Sequence, residues 1–373
     1  MTPIIGLSLP ELIEFLRGIG EPSFRAKQIF RWLYQELVTD FASMTDVSLG
    51  LRSQLGEHFE VETIHPIHSL TTDNGNTEKV LVELSPPSQR QLEGPLAERR
   101  RRFNSVESVL MIYPGDRVRR TVCVSSQAGC AMGCQFCATG QSGFIRDLTA
   151  GEIVGQVLHF ARRSRELHGP EARLTNLVFM GQGEPFANFD NVWRAVELLH
   201  APEAFGLGAR HITLSTVGVV PIIRELINRP LQVNLAVSLH AADDELRSRL
   251  VPLNRRYPLN EVLAACRDYV LATHRRISFE YTCMAGVNDS DSDALKLAER
   301  IRGILCHVNL IPMNATPGGQ FQPSSPRQIE RMVDILAAHG IPTTVRDTRG
   351  KQIDAACGQL RARLLQAATL END

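Results

Sequence analysis

Cys130, Cys134 and Cys137, spaced C-x3-C-x2-C in Gly129-Cys130-Ala131-Met132-Gly133-Cys134-Gln135-Phe136-Cys137, are the residues whose type and spacing point most directly to chemistry. Three thiolates on one short loop can each hold one iron of a cubane [4Fe-4S] cluster, which leaves the fourth iron open to a ligand from outside the protein. A ferredoxin-type carrier fills that position with a fourth cysteine, and a structural zinc site uses two C-x2-C pairs or Cys/His pairs. Neither pattern occurs around this loop. Zinc and plain buried cysteines, which behave as small hydrophobes, are the alternatives. Phe136, between the last two cysteines, suits an aromatic beside a cluster and a bound cosubstrate.

The chain of 373 residues is 43% hydrophobic and 22% charged, enough to bury one large core with appendages. A formal net charge of -1 does not advertise a nucleic-acid binder, so any RNA contact must come from local basic patches. Eight cysteines without a signal-peptide pattern point to a reducing compartment, where spaced cysteines mean metal or catalysis before structural disulfides. No apolar run approaches the roughly 20 residues that span a bilayer, so a soluble cytoplasmic protein with no membrane partner is expected.

Along the chain, residues 1–60 read as a helical accessory domain that could grip RNA. Ser8-Leu9-Pro10-Glu11 is a capping box, and a second helix from near Ser23 turns Ala26, Ile29, Phe30, Leu33 and Tyr34 inward with Arg25, Lys27 and Arg31 outward. Residues 61–115 read as a β-hairpin extension turning at Asn74-Gly75, followed by a Pro/Arg-rich loop carrying Arg99-Arg100-Arg101-Arg102 and a strand over Val106 to Ile112. That arginine run is either a solvated loop or a phosphate-binding one. Over 116–350, short apolar strands alternate with amphipathic helices, one opening at the capping box Thr149-Ala150-Gly151-Glu152. About six such units predict an α/β fold, a partial (β/α)6 barrel, with a doubly wound open sheet as the other solution. Residues 351–373 form a C-terminal segment.

In a βα barrel the chemistry sits at the carboxyl ends of the strands. The cluster loop follows the first strand and Gly181-Gln182-Gly183-Glu184-Pro185 the second; Ser215 ends the third, Ser238-Leu239-His240 the fourth, and Asn314 follows the sixth. Taken singly, Gly183 is a turn residue, Ser215 a helix cap and His240 a loop histidine. Their shared register with the cysteine loop points them at one mouth.

The cysteine loop resembles the signature of the radical S-adenosylmethionine (SAM) superfamily, in which SAM binds the open iron and is cleaved to a 5′-deoxyadenosyl radical. Cys123-Val124-Ser125-Ser126-Gln127-Ala128-Gly129-Cys130, the Gly-Gln-Gly-Glu-Pro segment, Phe24-Arg25-Ala26-Lys27-Gln28-Ile29 and Asp354-Ala355-Ala356-Cys357-Gly358-Gln359-Leu360 narrow the resemblance. Nearly the whole chain is similar to the radical SAM methyltransferases that act on C2 of adenosine in 23S ribosomal RNA and in transfer RNA. The resemblance implies that Cys130, Cys134 and Cys137 bind the cluster and that Gly183, Glu184, Ser215, Ser238, Leu239, His240 and Asn314 line the SAM site. It implies that Cys357 carries the methyl group, that Cys123 resolves the adduct by forming a disulfide with it, and that Glu107 in Val106-Glu107-Ser108-Val109 accepts a proton. Gln182 stands where that family usually has Met, and Ala315-Thr316 where Pro and an aromatic are common.

C2 of adenine lies between two ring nitrogens and is electron-poor, so a radical adds to it more readily than a methyl cation does. The family's scheme consumes two SAM per turnover: one methylates the Cys357 thiolate, and the radical from the second takes hydrogen from that S-methyl group. The target adenine must be splayed from its stack. The expected partners are RNA and an electron donor, and the expected unit is a monomer. Apart from the resemblance, Cys357 beside alanines and Cys123 on a strand read as packing, and Glu107 as an exposed strand residue. Cys266, Cys283 and Cys306 read as core. The alternatives are the related C8 methylation of ribosomal-RNA adenosine and a non-enzymatic zinc-binding RNA module.

Overall fold

The computed structural model describes residues 2–85, 104–314, 320–346, 350–355 and 358–359. Arg99 to Arg102, Ala315, Thr316 and Cys357 lie outside the described residues.

The N-terminal module has three α-helices, Leu9–Gly18 (α1), Phe24–Phe30 (α2) and Leu49–His58 (α3). The capping box forms as expected: Ser8 and Glu11 satisfy each other's backbone N–H groups at the start of α1. Ala26, Ile29, Phe30, Leu33 and Tyr34 are all buried, while Arg31 pairs with Asp46 at 2.7 Å on the surface. Thr2–Pro3 pairs in parallel with Phe59–Glu60 and brings both ends of the module onto the helix Ala150–His168 (α4). That approach is close enough to require glycine, because a Cβ on Gly151 would stand 2.2 Å from Ile5 O.

Among the described residues a ten-stranded sheet frames the rest of the chain, and its strand order is the chain order. The strands are Ile64–Thr72 (β1), Thr77–Leu84 (β2), Ser105–Tyr113 (β3), Arg119–Cys123 (β4), Asn176–Phe179 (β5), Ile212–Thr216 (β6), Asn234–Ser238 (β7), Ile277–Cys283 (β8), Cys306–Pro312 (β9) and Thr343–Val345 (β10). Strands β1 to β4 are antiparallel neighbours, and β4 to β10 all run parallel. The β1–β2 turn contains Asn74-Gly75 as expected, with Asp73, Asn74 and Gly75 all left-handed. Six crossovers join the parallel strands, through α4, Phe189–His200 (α5), Val220–Glu225 (α6), Asp244–Leu250 with Leu259–Thr273 (α7 and α8), Asp291–Arg300 (α9) and Pro326–Ala338 (α10).

A doubly wound sheet reverses its strand order at a switch point. This sheet never reverses, so it is a barrel that progresses in one direction; β1 and β10 stand at its two edges and leave it open. The faces of the parallel strands differ. Val122, Leu177, Leu214, Leu235, Val237, Phe279, Val308 and Leu310 join the helices in the main core. The alternate positions Ser215, Ser238, Glu280 and Asn309 fall on the opposite face, where the register aligns Ser238 with Glu280 and Glu280 with Asn309. Among the described residues no helix is long and apolar enough to cross a membrane.

Candidate active site

The loops at the carboxyl ends of β4 to β9 open onto one cavity of about 990 Å³, a figure that includes space open to solvent. Cys130, Cys134, Cys137, Gly183, Glu184, Ser215, Ser238, His240 and Asn314 all line it. Leu239 differs: its side chain is 1% exposed in the main core, and its backbone N–H donates to Glu280 O at 3.0 Å.

The cysteine loop is held at both ends. Gln127–Gly129 pairs antiparallel with Phe144–Asp147, and the Cys130 N–H donates to Gly143 O at 3.1 Å. The Gln135 N–H reaches Leu250 O at 3.0 Å, and the Ala138 N–H reaches Gly358 O at 2.8 Å. Burial pushes the Cys130 thiol up to about 12 and the Cys134 thiol well above its ordinary value, with neighbouring thiols and Glu184 adding to both. Thiols held neutral this way ionise when a cation supplies the opposing charge, which fits an iron centre. Among the described residues no three His, Cys, Asp or Glu side chains converge on one metal-ion position. A cubane does not need them to, since each thiolate takes its own iron.

Gly183 turns the second loop at φ +97°, where a Cβ would stand 2.6 Å from Gln127 Cβ. Glu184 then faces inward, 3% exposed, accepting from the Phe186 N–H at 3.0 Å and the Val217 N–H at 2.9 Å. Burial raises its carboxyl to about 7, although these hydrogen bonds pull the other way. His240 sits at φ +58° and accepts from the Thr282 N–H through Nδ1 at 3.1 Å, so its proton is on Nε2. Burial, with Arg247 adding, lowers it to about 3, and its ring stands edge-on to Phe136 at 4.6 Å between centroids.

Sequence reasoning missed two groups on this side. Arg247, fully buried, donates to Asn254 Oδ1 and Val217 O, each at 2.7 Å, and to Leu239 O at 3.2 Å, which ties the segment after β6 to the connection after β7. Nothing in its sequence setting separates it from a solvated helix arginine. Glu280 and Arg346 also line the cavity, 3.8 Å apart, with Asn309 donating to Glu280 at 2.8 Å. Their strand phase was the available signal, because both continue the inward face of Ser238.

Cys123 and Glu107 do not line the cavity; they lie beside it on β4 and β3, next to Met180, which lines the cavity and also packs with Cys123. Cys123 ends β4 opposite Val109, and the two pack with Met111, Val178, Met180 and Ala355. Glu107, one inward position further along β3, is 0% exposed, which corrects its reading as an exposed strand residue. Its Oε1 lies 3.0 Å from Nζ of Lys79, itself 3% exposed, and the C-terminal segment crosses the same face beside them. Asp73 accepts from the Gly350 N–H at 3.2 Å, Thr72 donates to Gln352 at 2.7 Å, and Lys79 donates to Asp354 O at 3.4 Å. Ala355 therefore lies against Cys123, and Gly358 against the cysteine loop.

Two families match this chain: the ribosomal RNA large subunit methyltransferase N-terminal domain over residues 2–61, and the radical SAM superfamily over residues 124–298. A probable dual-specificity RNA methyltransferase RlmN of Chloroflexus aurantiacus is 48% identical over 364 residues, covering 95% of this chain and 92% of the relative. The dual-specificity RNA methyltransferase RlmN of Halorhodospira halophila is 47% identical, covering 96% and 92%. The crystal structure of a radical SAM methyltransferase from Sphaerobacter thermophilus superposes with a TM-score of 0.89 at 49% identity, covering 97% of this chain and 100% of that one.

Proposed function

The chain belongs to the RlmN family of radical SAM RNA methyltransferases, and on that premise we propose that it methylates C2 of adenosine in 23S ribosomal RNA and in transfer RNA through a methylated cysteine. The observation that supports the reading is one of neighbourhood: Cys130, Cys134 and Cys137 line the cavity together with Met180 and Gly358, and Met180 also packs with Cys123 and Ala355 on the strand face that carries Glu107.

Cys130, Cys134 and Cys137 would hold a [4Fe-4S] cluster, which would supply the one-electron reduction needed for radical cleavage of SAM. Gly183, Glu184, Ser215, Ser238, His240, Asn314 and the backbone of Leu239 surround the cosubstrate. Glu184 orders the second and third loops through its two backbone N–H partners, and neutral His240 presents Nε2–H without adding charge. Cys357 accepts the methyl group from one SAM, and a second SAM provides the radical that activates that methyl. Ala355, two residues before Cys357 in sequence, packs with Cys123, and Gly358, the residue after it, accepts from the cysteine loop's Ala138 N–H, which supports a carrier serving both groups. Glu107 takes the C2 proton from the adduct, whose odd electron would pass to the one-electron-oxidised cluster site or the external redox partner; the Cys123 thiolate then attacks Cys357 sulfur, the S–C bond to the methylene breaks, that carbon takes a proton, and methylated RNA leaves as the disulfide forms. Such a disulfide needs Cα atoms within roughly 7 Å. Residues 1–60 serve as the RNA-gripping module, 61–115 as the extension bearing Glu107, 116–350 as the cofactor barrel and 351–373 as the methyl-carrying segment. The enzyme works in the cytoplasm as a monomer supplied by a separate electron donor.

Mass spectrometry of nucleosides from ribosomal and transfer RNA of cells with and without the gene tests this reading. Loss of 2-methyladenosine from both RNAs on deletion supports it. Loss of 8-methyladenosine instead selects the C8 alternative, and no change in either nucleoside overturns both.

A further inference from the structure

Lys79 has no part in the function described so far, yet it is among the least exposed charged side chains of the molecule, at 3%. It lies mid-strand in β2 opposite Val109, whose other neighbour is Cys123, so one row across the sheet reads Lys79, Val109, Cys123. Its ammonium meets Glu107 Oε1 at 3.0 Å and Asp354 O at 3.4 Å. The first is the side chain assigned above as proton acceptor, and the second belongs to the segment that leads to the methyl-carrying cysteine.

A carboxylate with no exposed surface loses its hydration and needs a fixed counter-charge to stay ionised. A carboxylate held at a fixed place can take a proton from a carbon placed beside it only if it is ionised beforehand. Lys79 supplies a counter-charge from the neighbouring strand as an ion pair at 3.0 Å. Its hydrogen bond to Asp354 O means that the ammonium is fully placed only when Asp354 lies across the sheet. The base and the carrier segment are thereby registered to each other through one side chain.

We propose that Lys79 is the positioning residue for proton removal from C2: it holds Glu107 as an oriented carboxylate and couples that orientation to the docked C-terminal segment. The inference rests on the reading of Glu107 as the proton acceptor. In the step concerned, the C2–H bond of the adduct breaks, its electron pair stays with the ring and the proton passes to Glu107. Lys79 itself is unchanged.

The test is single turnover by the cluster-loaded enzyme on an RNA oligonucleotide whose target adenine carries hydrogen or deuterium at C2. Methyl loading of Cys357 and release of methylated RNA are followed separately. Lys79→Gln keeps a donor for Asp354 O and removes the charge; it should slow release on the order of 100-fold, the lower range for a lost general base, and expose a primary deuterium isotope effect. Lys79→Arg, which keeps the charge, should recover most of the rate. A purely structural role would slow methyl loading and release together without an isotope effect, and that result overturns the proposal. So does release at the wild-type rate. Lys79→Met serves if the Gln variant does not fold, and failure of both neutral variants to fold while Lys79→Arg folds without faster release than Glu107→Gln also counts against it. Glu107→Gln separates the two claims. If it releases RNA normally, the base assignment falls; if it is slow with an isotope effect while Lys79→Gln is normal, only the role of Lys79 falls.

Discussion

The cavity and the strand face beside it are built on different principles. On the cofactor side, polar groups sit where strands end and loops begin, and much of their placement is done by backbone: Gly183 at positive φ, Glu184 on two N–H groups, His240 on the Thr282 N–H. On the β2–β4 side, Lys79, Glu107 and Cys123 lie within strands or at a strand end, on one face, and depend on register and on the segment that crosses beside them. A loop site can be shaped residue by residue. A strand-face site stands or falls with the pairing, since a slip of one residue would turn each side chain to the opposite face.

The comparison predicts that damage on the cofactor side is total and early in the reaction. Cys130→Ala, Cys134→Ala or Cys137→Ala should each give folded protein with RNA methylation at background, because two thiolates hold a cubane poorly. Iron content and SAM cleavage check this, and full retention of both in any variant would falsify the ligand assignment.

A smaller effect is expected from Glu184. Burial raises its carboxyl from 4.5 to about 7 in the folded protein, so the native state holds a proton there that the unfolded chain releases. The stability it contributes is present below pH 4.5 and is lost as pH rises through 7. At about 1.4 kcal/mol per pH unit this is on the order of 3 kcal/mol. Denaturant unfolding of the metal-free protein at pH 5 and pH 8 should therefore show a larger loss for the wild type than for Glu184→Gln. Equal losses would mean that the carboxyl is not held neutral by the fold.

The smallest effect concerns Arg99 to Arg102, outside the described residues, where the account predicts affinity without base specificity. Replacing all four with Gln should flatten the salt dependence of RNA binding, by about 0.7–0.9 in log–log slope for each phosphate no longer neutralised. An unchanged slope would make the run a solvated loop.

The contrast also governs what could be read from the sequence. The cysteine loop and strand-end residues were legible because spacing along the chain carries the information, and every one of them except the Leu239 side chain lines the cavity. The one-way strand order was legible only as a rhythm of strands and helices; its openness required the structure. Lys79 and the burial of Glu107 were not legible. Thr77-Glu78-Lys79 is a run of three polar residues before Val80 and carries no sign of burial, and the segment that meets Lys79, through Asp354 O, is distant in sequence. Arg247 escaped for a similar reason, since the two connections it joins, after β6 and after β7, meet only in the folded sheet.

The central claim is that one cysteine carries the methyl group and another frees the RNA, so the direct measurement compares Cys357→Ala with Cys123→Ala, both cluster-loaded, on denaturing gels after incubation with RNA and SAM. Cys357→Ala lacks the acceptor and should put methyl on neither protein nor RNA. Cys123→Ala should still load methyl and attack adenine, then accumulate a covalent protein–RNA species that survives thiol reductants, because a thioether does not exchange with thiols as a disulfide does. Free methylated RNA released at the wild-type rate by Cys123→Ala would contradict the account.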